Sequence, residues 1–422
     1  MIESITEASR ESYTDESVLG REAELLICCG CYSMDPDQVG RAQELLGGGL
    51  DWQHLFEIAR LHRVLPLLYR NLNQIEAGPV PQAFLQRLRR HHLGNASRNL
   101  FLTRELLSLL DLFEDAGISA VPFKGPVLAS LAYGDISWRE FSDLDILVPR
   151  ENALKGVELL TSRGYVKTYT MSEREEANYL DSGCEFTLTH NSSGLTIDLH
   201  WRFFRDFYSF PFDTGKLWQQ LEVLSVAGRQ ILAMPLEETL LLHCVHGSKH
   251  QWERLEWISI LAQLIRVHET RIDSKRLVSL ARRLGSERML LLGFALARRF
   301  FKAPIPEVLL HRVSSHSGLN SLTRWVLTRL FFEGDEHVLG TQKHIFHVRM
   351  RERWRDRVPY FLLLLGLMRE RLTPNQRDRD LLPLPPGLSF LHYLTRPIRL
   401  CWEYGAESVA SLQRLLRRFH AS

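Results

Sequence analysis

An α+β fold is predicted by the way the hydrophobic period changes along the chain. Helical spacing runs from Val18 to about Gly117, two-residue alternation appears in short runs between Val121 and Trp201, and helical spacing resumes at Leu236. The strands are few and fall in one place, so a small sheet is embedded between mainly α-helical N- and C-terminal regions. The expected divisions are a leader over 1–17, a helical region over 18–118, a strand-bearing core over 119–234, a helical domain over 235–343 and a basic, Pro-containing helical region over 344–422.

The leader, Met1 to about Ser17, is polar and acidic without periodicity and reads as a mobile segment. Leu19, Ala23, Leu26 and Ile27 line one face of a first helix. Val39 to Leu46, Trp52 to Leu72 and Gln82 to Glu114 continue the helical pattern. Cys28, Cys29 and Cys31 are either a reactive cluster or small hydrophobes buried at a helix end. In Val121–Val148, Phe123-Lys124-Gly125 ends an apolar lead-in, and Gly125-Pro126 suits a helix start. Val127, Leu128, Leu131 and Ala132 then recur at helical spacing up to Gly134. The run Ser142–Val148 reads as a strand, with Asp143 and Asp145 on one face and Leu144, Ile146 and Val148 on the other.

A helix over Glu151–Arg163 and a strand over Tyr165–Tyr169 follow, and Met171–Asp181 reads as a loop or an exposed helix. Cys184–Trp201 is two alternating runs about the turn Asn191-Ser192-Ser193-Gly194, hence a hairpin. That turn sets Leu188 opposite Ile197 and Phe186 opposite Leu199 on the apolar side, with Thr187 opposite Asp198 and Glu185 opposite His200 on the polar side. A further hairpin is expected around Gly228, and Pro235 opens a long helix from Leu236 to about His268. Its His243, His246 and His250 share a face: a zinc site, a polar wall of the cleft, or histidines satisfied between helices. Arginines at alternate positions from Arg349 to Arg357 read as a solvated ion-paired face or as a nucleic-acid contact. Leu381–Gly387 is a stiff Pro-rich connector, and Leu400–Phe419 a terminal apolar and basic helix.

With 422 residues, 45% of them hydrophobic, the chain can fill its cores without staples. Six irregularly spaced cysteines and the lack of a signal-peptide pattern fit a reduced, cytoplasmic protein. Tyr360–Met368, the longest strongly apolar run, falls well short of the roughly 20 residues that cross a bilayer. A formal charge of only +2 argues against nucleic-acid binding as the main role.

Two carboxylates in an Asp-x-Asp strand, with a third acid on a neighbouring strand, supply what a two-metal phosphoryl-transfer centre needs. A few carboxylates hold Mg²⁺, while water and phosphate oxygens complete its shell. A Gly turn at a helix start offers free backbone N–H groups to phosphates. Asp143, Asp145, Asp198 and Lys124-Gly125 are those parts, and the competing account of the acids is an ordinary solvated strand face.

Phe123-Lys124-Gly125, Tyr133-Gly134-Asp135, Arg139, the Ser142–Val148 strand and Asp198-Leu199-His200-Trp201 carry a resemblance. They resemble a family of uncharacterised bacterial proteins with a nucleotidyltransferase-type domain of the polymerase-beta superfamily. The match is most specific between about Val121 and Trp201. It extends more weakly into His246–Trp252 and to Arg396-Pro397. The resemblance implies a mixed sheet with helices on one side, an NTP donor with Mg²⁺, and transfer of a nucleoside monophosphate to an acceptor: small molecule, glycan, protein or RNA. It implies that Asp143 and Asp145 hold metal and that Asp198 is the third acid. Lys124, Gly125, Arg139 and Ser142 would lie against the nucleotide phosphates. The superfamily usually carries Gly-Ser in the first turn; Lys124-Gly125 stands there instead, so Lys124 would neutralise phosphate charge. A non-catalytic module of the same fold, binding nucleotide or protein, is the alternative.

Overall fold

The computed structural model describes residues 19–75, 80–205, 208, 210–316, 318–331, 336–396 and 398–399. The leader and the terminal helix expected over Leu400–Phe419 lie outside the described residues.

Five strands form the central sheet in the order β1-β2-β5-β4-β3: β1 Val121–Pro122, β2 Asp143–Leu147, β3 Tyr165–Lys167, β4 Glu185–His190 and β5 Thr196–His200. The sheet is mixed, because β2 and β5 run parallel while every other pair is antiparallel. The β4–β5 hairpin has the register its turn dictates, with Leu188 opposite Ile197, Phe186 opposite Leu199, Thr187 opposite Asp198 and Glu185 opposite His200. The second hairpin expected around Gly228 is β6 Glu222–Val226 with β7 Arg229–Ala233.

Alternation gives the sheet one dry face. Leu144, Ile146, Val148, Phe186, Leu188, Ile197 and Leu199 are all buried in a core they share with Leu106, Leu109 and Phe113 of one helix and Val157 and Leu160 of another. Each such side chain contributes about 1.5–3 kcal/mol when fully buried. Those helices follow α1 Arg21–Cys29, α2 Pro36–Leu46, α3 Trp52–Leu61 and α4 Leu65–Leu72; they are α5 Gln82–Asp115 and, after α6 Gly125–Tyr133, α7 Ala153–Ser162. The approach is tight at Gly156, where a Cβ would lie 2.9 Å from Leu199 Cδ2 and 3.3 Å from Phe113 Cε1. α5 and α7 thus cover one side, while the opposite side carries the polar residues and also Leu147, which is buried in the core shared with the later helices. Glu173–Ser182 is an exposed helix, α8, capped by Ser172.

Two long helical stretches are each broken in two. Trp52 to Leu72 is interrupted at His62-Arg63-Val64, and Leu236 to His268 becomes α9 Leu236–Lys249 and α10 Leu255–Val267 with a break at 250–254. Arg63, Gln251 and Trp252 lie in the left-handed region there, with φ of 54°, 57° and 56°. No glycine marks either break, which is why hydrophobic spacing reads straight through them. Seven further helices run from Ser274 to Leu381. Among the described residues no helix is long and apolar enough to cross a membrane.

Cys28, Cys29 and Cys31 are buried small hydrophobes, their thiols pushed up by burial. Four of the five arginines of 349–357 are anchors rather than a free basic strip, and Arg355 is exposed beside Asp356. Arg351 is buried between the rings of Tyr208 and Tyr360, Arg349 donates to Ser321 Oγ at 2.5 Å, Arg353 holds the carbonyls of Arg282 and Arg283, and Arg357 holds that of Arg351.

Candidate functional site

Chain direction decides what lies beside the Asp-x-Asp strand. Because β5 runs parallel to β2, Asp198 sits directly opposite Asp145, and His200 opposite Leu147. One oxygen of each aspartate and one ring nitrogen of His200 lie within 4.8 Å of one another, the one such group of metal-ligating side chains among the described residues. β1 lies antiparallel on the other edge of β2, with Phe123 N donating to Asp145 O at 3.3 Å. The next residue, Lys124, therefore reaches the acids: its Nζ donates to Asp145 Oδ1 at 2.6 Å.

Asp145 is almost completely buried. Burial alone would push its carboxyl up, but the Lys124 ammonium and the His200 contact outweigh this and hold it well below the usual carboxylate range. Burial likewise works against the Lys124 charge, and Asp145 more than restores it, so its pKa is raised. Asp198 accepts from Thr187 Oγ1 at 2.7 Å, yet burial and the nearby Asp145 charge push its carboxyl up. One of the facing acids is thus held ionised while the other binds a proton more readily, as expected for coupled carboxylates. His200 bridges the arrangement, with Nε2 3.2 Å from Asp145 Oδ1 and Nδ1 3.1 Å from Glu185 Oε2. The edge of its ring is packed on Phe123, centroids 5.0 Å apart.

The other sequence candidates divide. Asp143 shares the strand face of Asp145 but stands outside the three-ligand group, half-buried near the Gly125 turn; a Cβ on Gly125 would lie 3.5 Å from its carbonyl oxygen. Gly125 has φ of 48° and opens α6, as the Lys-Gly turn requires. Ser142 is half-buried just before β2. Arg139 is not directed at the site as a triphosphate contact. It is buried, its Nε 2.8 Å from Glu256 Oε1 and its Nη1 donating to Gly125 O at 3.3 Å. Asn95 and Asn99 of α5 hold this segment by its carbonyls, at 3.1 and 2.7 Å from Arg139 O.

The histidine face packs on the neighbouring helix α10, and Lys124 lies within electrostatic reach of all three rings. His243 is buried with Nε2 2.8 Å from Trp257 O, and burial pushes it down to about 4. His246 and His250 pack on the Trp257 ring. His200 is the member of the site that pattern reading placed beside Asp198 rather than Asp145. Only the parallel β2–β5 register puts it against Asp145, and no turn or spacing in the sequence encodes that pairing.

The mixed sheet with its acidic strand pair is consistent with a nucleotidyltransferase-type core. The chain belongs to the family of uncharacterised nucleotidyltransferases, whose model matches residues 48–302. Among solved structures it is similar to an antigenic nucleotidyltransferase-like protein from Paracoccidioides brasiliensis, at 14% identity over 48% of this chain and 94% of that one, with a TM-score of 0.29. No curated protein matches the sequence.

Proposed function

We propose that this protein moves a nucleoside monophosphate from an NTP to an acceptor in the cytoplasm, using Mg²⁺ held by Asp143, Asp145 and Asp198. The observation that carries the reading is the pairing of Asp145 with Asp198 across parallel strands, with His200 completing a group of ligand atoms within 4.8 Å. Two carboxylates with a third on the same face fit a hard divalent ion, and the imidazole would let Mn²⁺ serve as well. When bound, the divalent ions neutralise the triphosphate oxygens and lower the pKa of the attacking hydroxyl.

The chain's own groups do the rest. Lys124 exchanges its contact with Asp145 for a phosphate oxygen when metal and nucleotide arrive. The Gly125 N–H at the start of α6 would face the triphosphate, because Pro126 has no N–H and that of Val127 is bonded to Lys124 O. The acceptor oxygen forms a bond to the α-phosphorus, the bond from that phosphorus to the β-phosphate oxygen breaks, and pyrophosphate leaves with the electron pair. Asp198, facing Asp145 across the parallel strands, would take the acceptor proton. Arg139 is given no part in this chemistry.

The test is incubation with each α-labelled NTP, Mg²⁺ and cell extract, comparing wild type with Asp143→Ala/Asp145→Ala. Label transferred by wild type alone is expected; equal labelling by both would sink the assignment. One observation favours a module that binds without transferring, namely the ammonium of Lys124 already seated on Asp145. That reading expects a nucleotide-dependent thermal shift that survives in Asp143→Asn, with no transfer by either protein.

A further inference from the structure

The longest strongly apolar run of the chain, Tyr360–Met368, takes no part in the chemistry above. It lies in the helix Trp354–Leu372, which packs through Tyr360 on the end of the preceding helix, Glu336–Met350. Tyr360 is buried, its hydroxyl oxygen 2.9 Å from His344 Nδ1 and its ring centroid 4.5 Å from the Arg351 guanidinium carbon. Arg357 Nε donates to Arg351 O at 3.0 Å. The first two turns of the helix are thereby fixed.

What the helix turns away from that contact is apolar. Trp354, Val358, Phe361, Leu362 and Leu365 are between 43 and 77% exposed. At about 100° per residue they fall in one stripe roughly 100° wide, with Tyr360 on the far side of the helix. A contiguous exposed apolar face of this kind marks a surface made for contact. Arginines border it. Arg355, exposed beside Asp356, stands next to Leu362 around the helix on one edge, and Arg357 stands beyond Phe361 on the other. Exposed Arg369 follows one turn past Leu365.

The chain after Leu391 repeats the arrangement. Buried Asp378 pairs with Arg396 and accepts from Arg399 Nε at 2.8 Å, which turns these charges inward. Tyr393, Leu394 and Ile398, between and beside them, stay exposed.

Charge selects the occupant. Eleven arginines and five acids stand between residues 344 and 399, so this region is net basic while the rest of a chain of formal charge +2 is net acidic. Two copies meeting through this face would set like charges against each other. Aromatic and aliphatic side chains along one face of a helix, edged by arginines, instead match the boundary between lipid headgroups and acyl chains. Among the described residues no helix is long and apolar enough to span a bilayer, so the contact is an interfacial one. The anionic lipids of a cytoplasmic leaflet supply the opposite charge.

We propose that the helix Trp354–Leu372 docks this protein on an anionic lipid surface, lying in the interface plane with Phe361, Leu362 and Leu365 inserted. The proposal goes beyond nucleotide transfer and does not rest on it.

The experiment is flotation of the full chain with vesicles of phosphatidylcholine alone and of phosphatidylcholine with phosphatidylglycerol, at low and high salt. The variants are Phe361→Gln/Leu365→Gln, Leu362→Gln and Arg355→Gln. All four side chains are exposed, and thermal melts check that the fold is kept. Wild type should float with the phosphatidylglycerol vesicles and be released by salt. The double variant should lose about tenfold or more in partitioning, and Arg355→Gln about fivefold. If the double variant does not melt like wild type, Leu362→Gln decides in its place. No binding to either vesicle, equal binding to both, or an unchanged double variant overturns the proposal. A wild-type dimer in sedimentation velocity that the double variant splits also overturns it, because a second copy then covers the stripe.

Discussion

Replacing Lys124 with Met removes the one ammonium bonded to Asp145 and leaves a nearly buried carboxylate with His200 as its remaining polar partner. At the observed 2.6 Å the gross attraction is about 6 kcal/mol with an effective dielectric near 20. Desolvation offsets much of it, and removal of one partner from a buried pair typically costs ~3–5 kcal/mol. Lys124 keeps 27% of its side chain exposed, so the low end, about 3 kcal/mol, is expected.

The pH dependence follows from the directions of the two shifts. Asp145 has a depressed pKa when folded, so its contribution is present above the unfolded value of ~3.9 and is lost as pH falls through the lower folded one. Lys124 has a raised pKa, so its contribution is present below ~10.4 and is lost as pH rises beyond it. The deficit of Lys124→Met should therefore be flat between about pH 5 and 10 and shrink on acidification. Urea denaturation at pH 7 and at about pH 3 measures this. A second reading is Mn²⁺ titration without nucleotide: with Asp145 released, the variant should bind the ion more tightly than wild type. Equal stability at pH 7, or a deficit that grows in acid, would refute the picture of Lys124 as the resident counter-charge.

Arg139→Ala should destabilise by ~3–5 kcal/mol, because Glu256 is left buried without its cation, while Arg139→Met/Glu256→Leu should recover most of that loss by chemical denaturation. Nucleotide affinity per folded molecule in the double variant should stay near that of wild type; a loss of about tenfold or more would return Arg139 to the phosphates. Gly156→Ala forces a methyl against Leu199 and Phe113 and should cost ~1–3 kcal/mol, readable as a lowered melting temperature with no effect on metal affinity. His200→Ala removes a candidate ligand as well as the contact to Asp145, so Mn²⁺ affinity should fall about tenfold or more, and by a larger factor than Mg²⁺ affinity.

What the sequence reveals and what it hides at this site divide along one physical line. The β4–β5 hairpin was legible pair by pair because its turn is local and the side-chain period of a strand fixes the rest. The Asp143 and Asp145 face and the Gly125 turn were legible for the same reason. The adjacency of β5 to β2 joins residues more than fifty positions apart, and with it came the contact of His200 with Asp145. The partner of Arg139 was equally hidden, since Glu256 reaches it from a helix far along the chain. The two helix breaks were hidden differently. Arg63, Gln251 and Trp252 carry no local signal for a left-handed backbone, and what stabilises them there is packing between distant loops, His62 against Leu255 above all.

That contact between His62 and Leu255 spans 193 positions of chain, and it sets an order of events during synthesis. Strands β1, β2, β4 and β5 can pair once residue 200 has emerged, assembling the acidic face from a contiguous stretch. The loop bearing Arg254 emerges some fifty residues later and must then return to one made near the start, a closure whose entropic cost comes before its contacts reward it. The acidic face can therefore assemble before the two helix breaks close on each other.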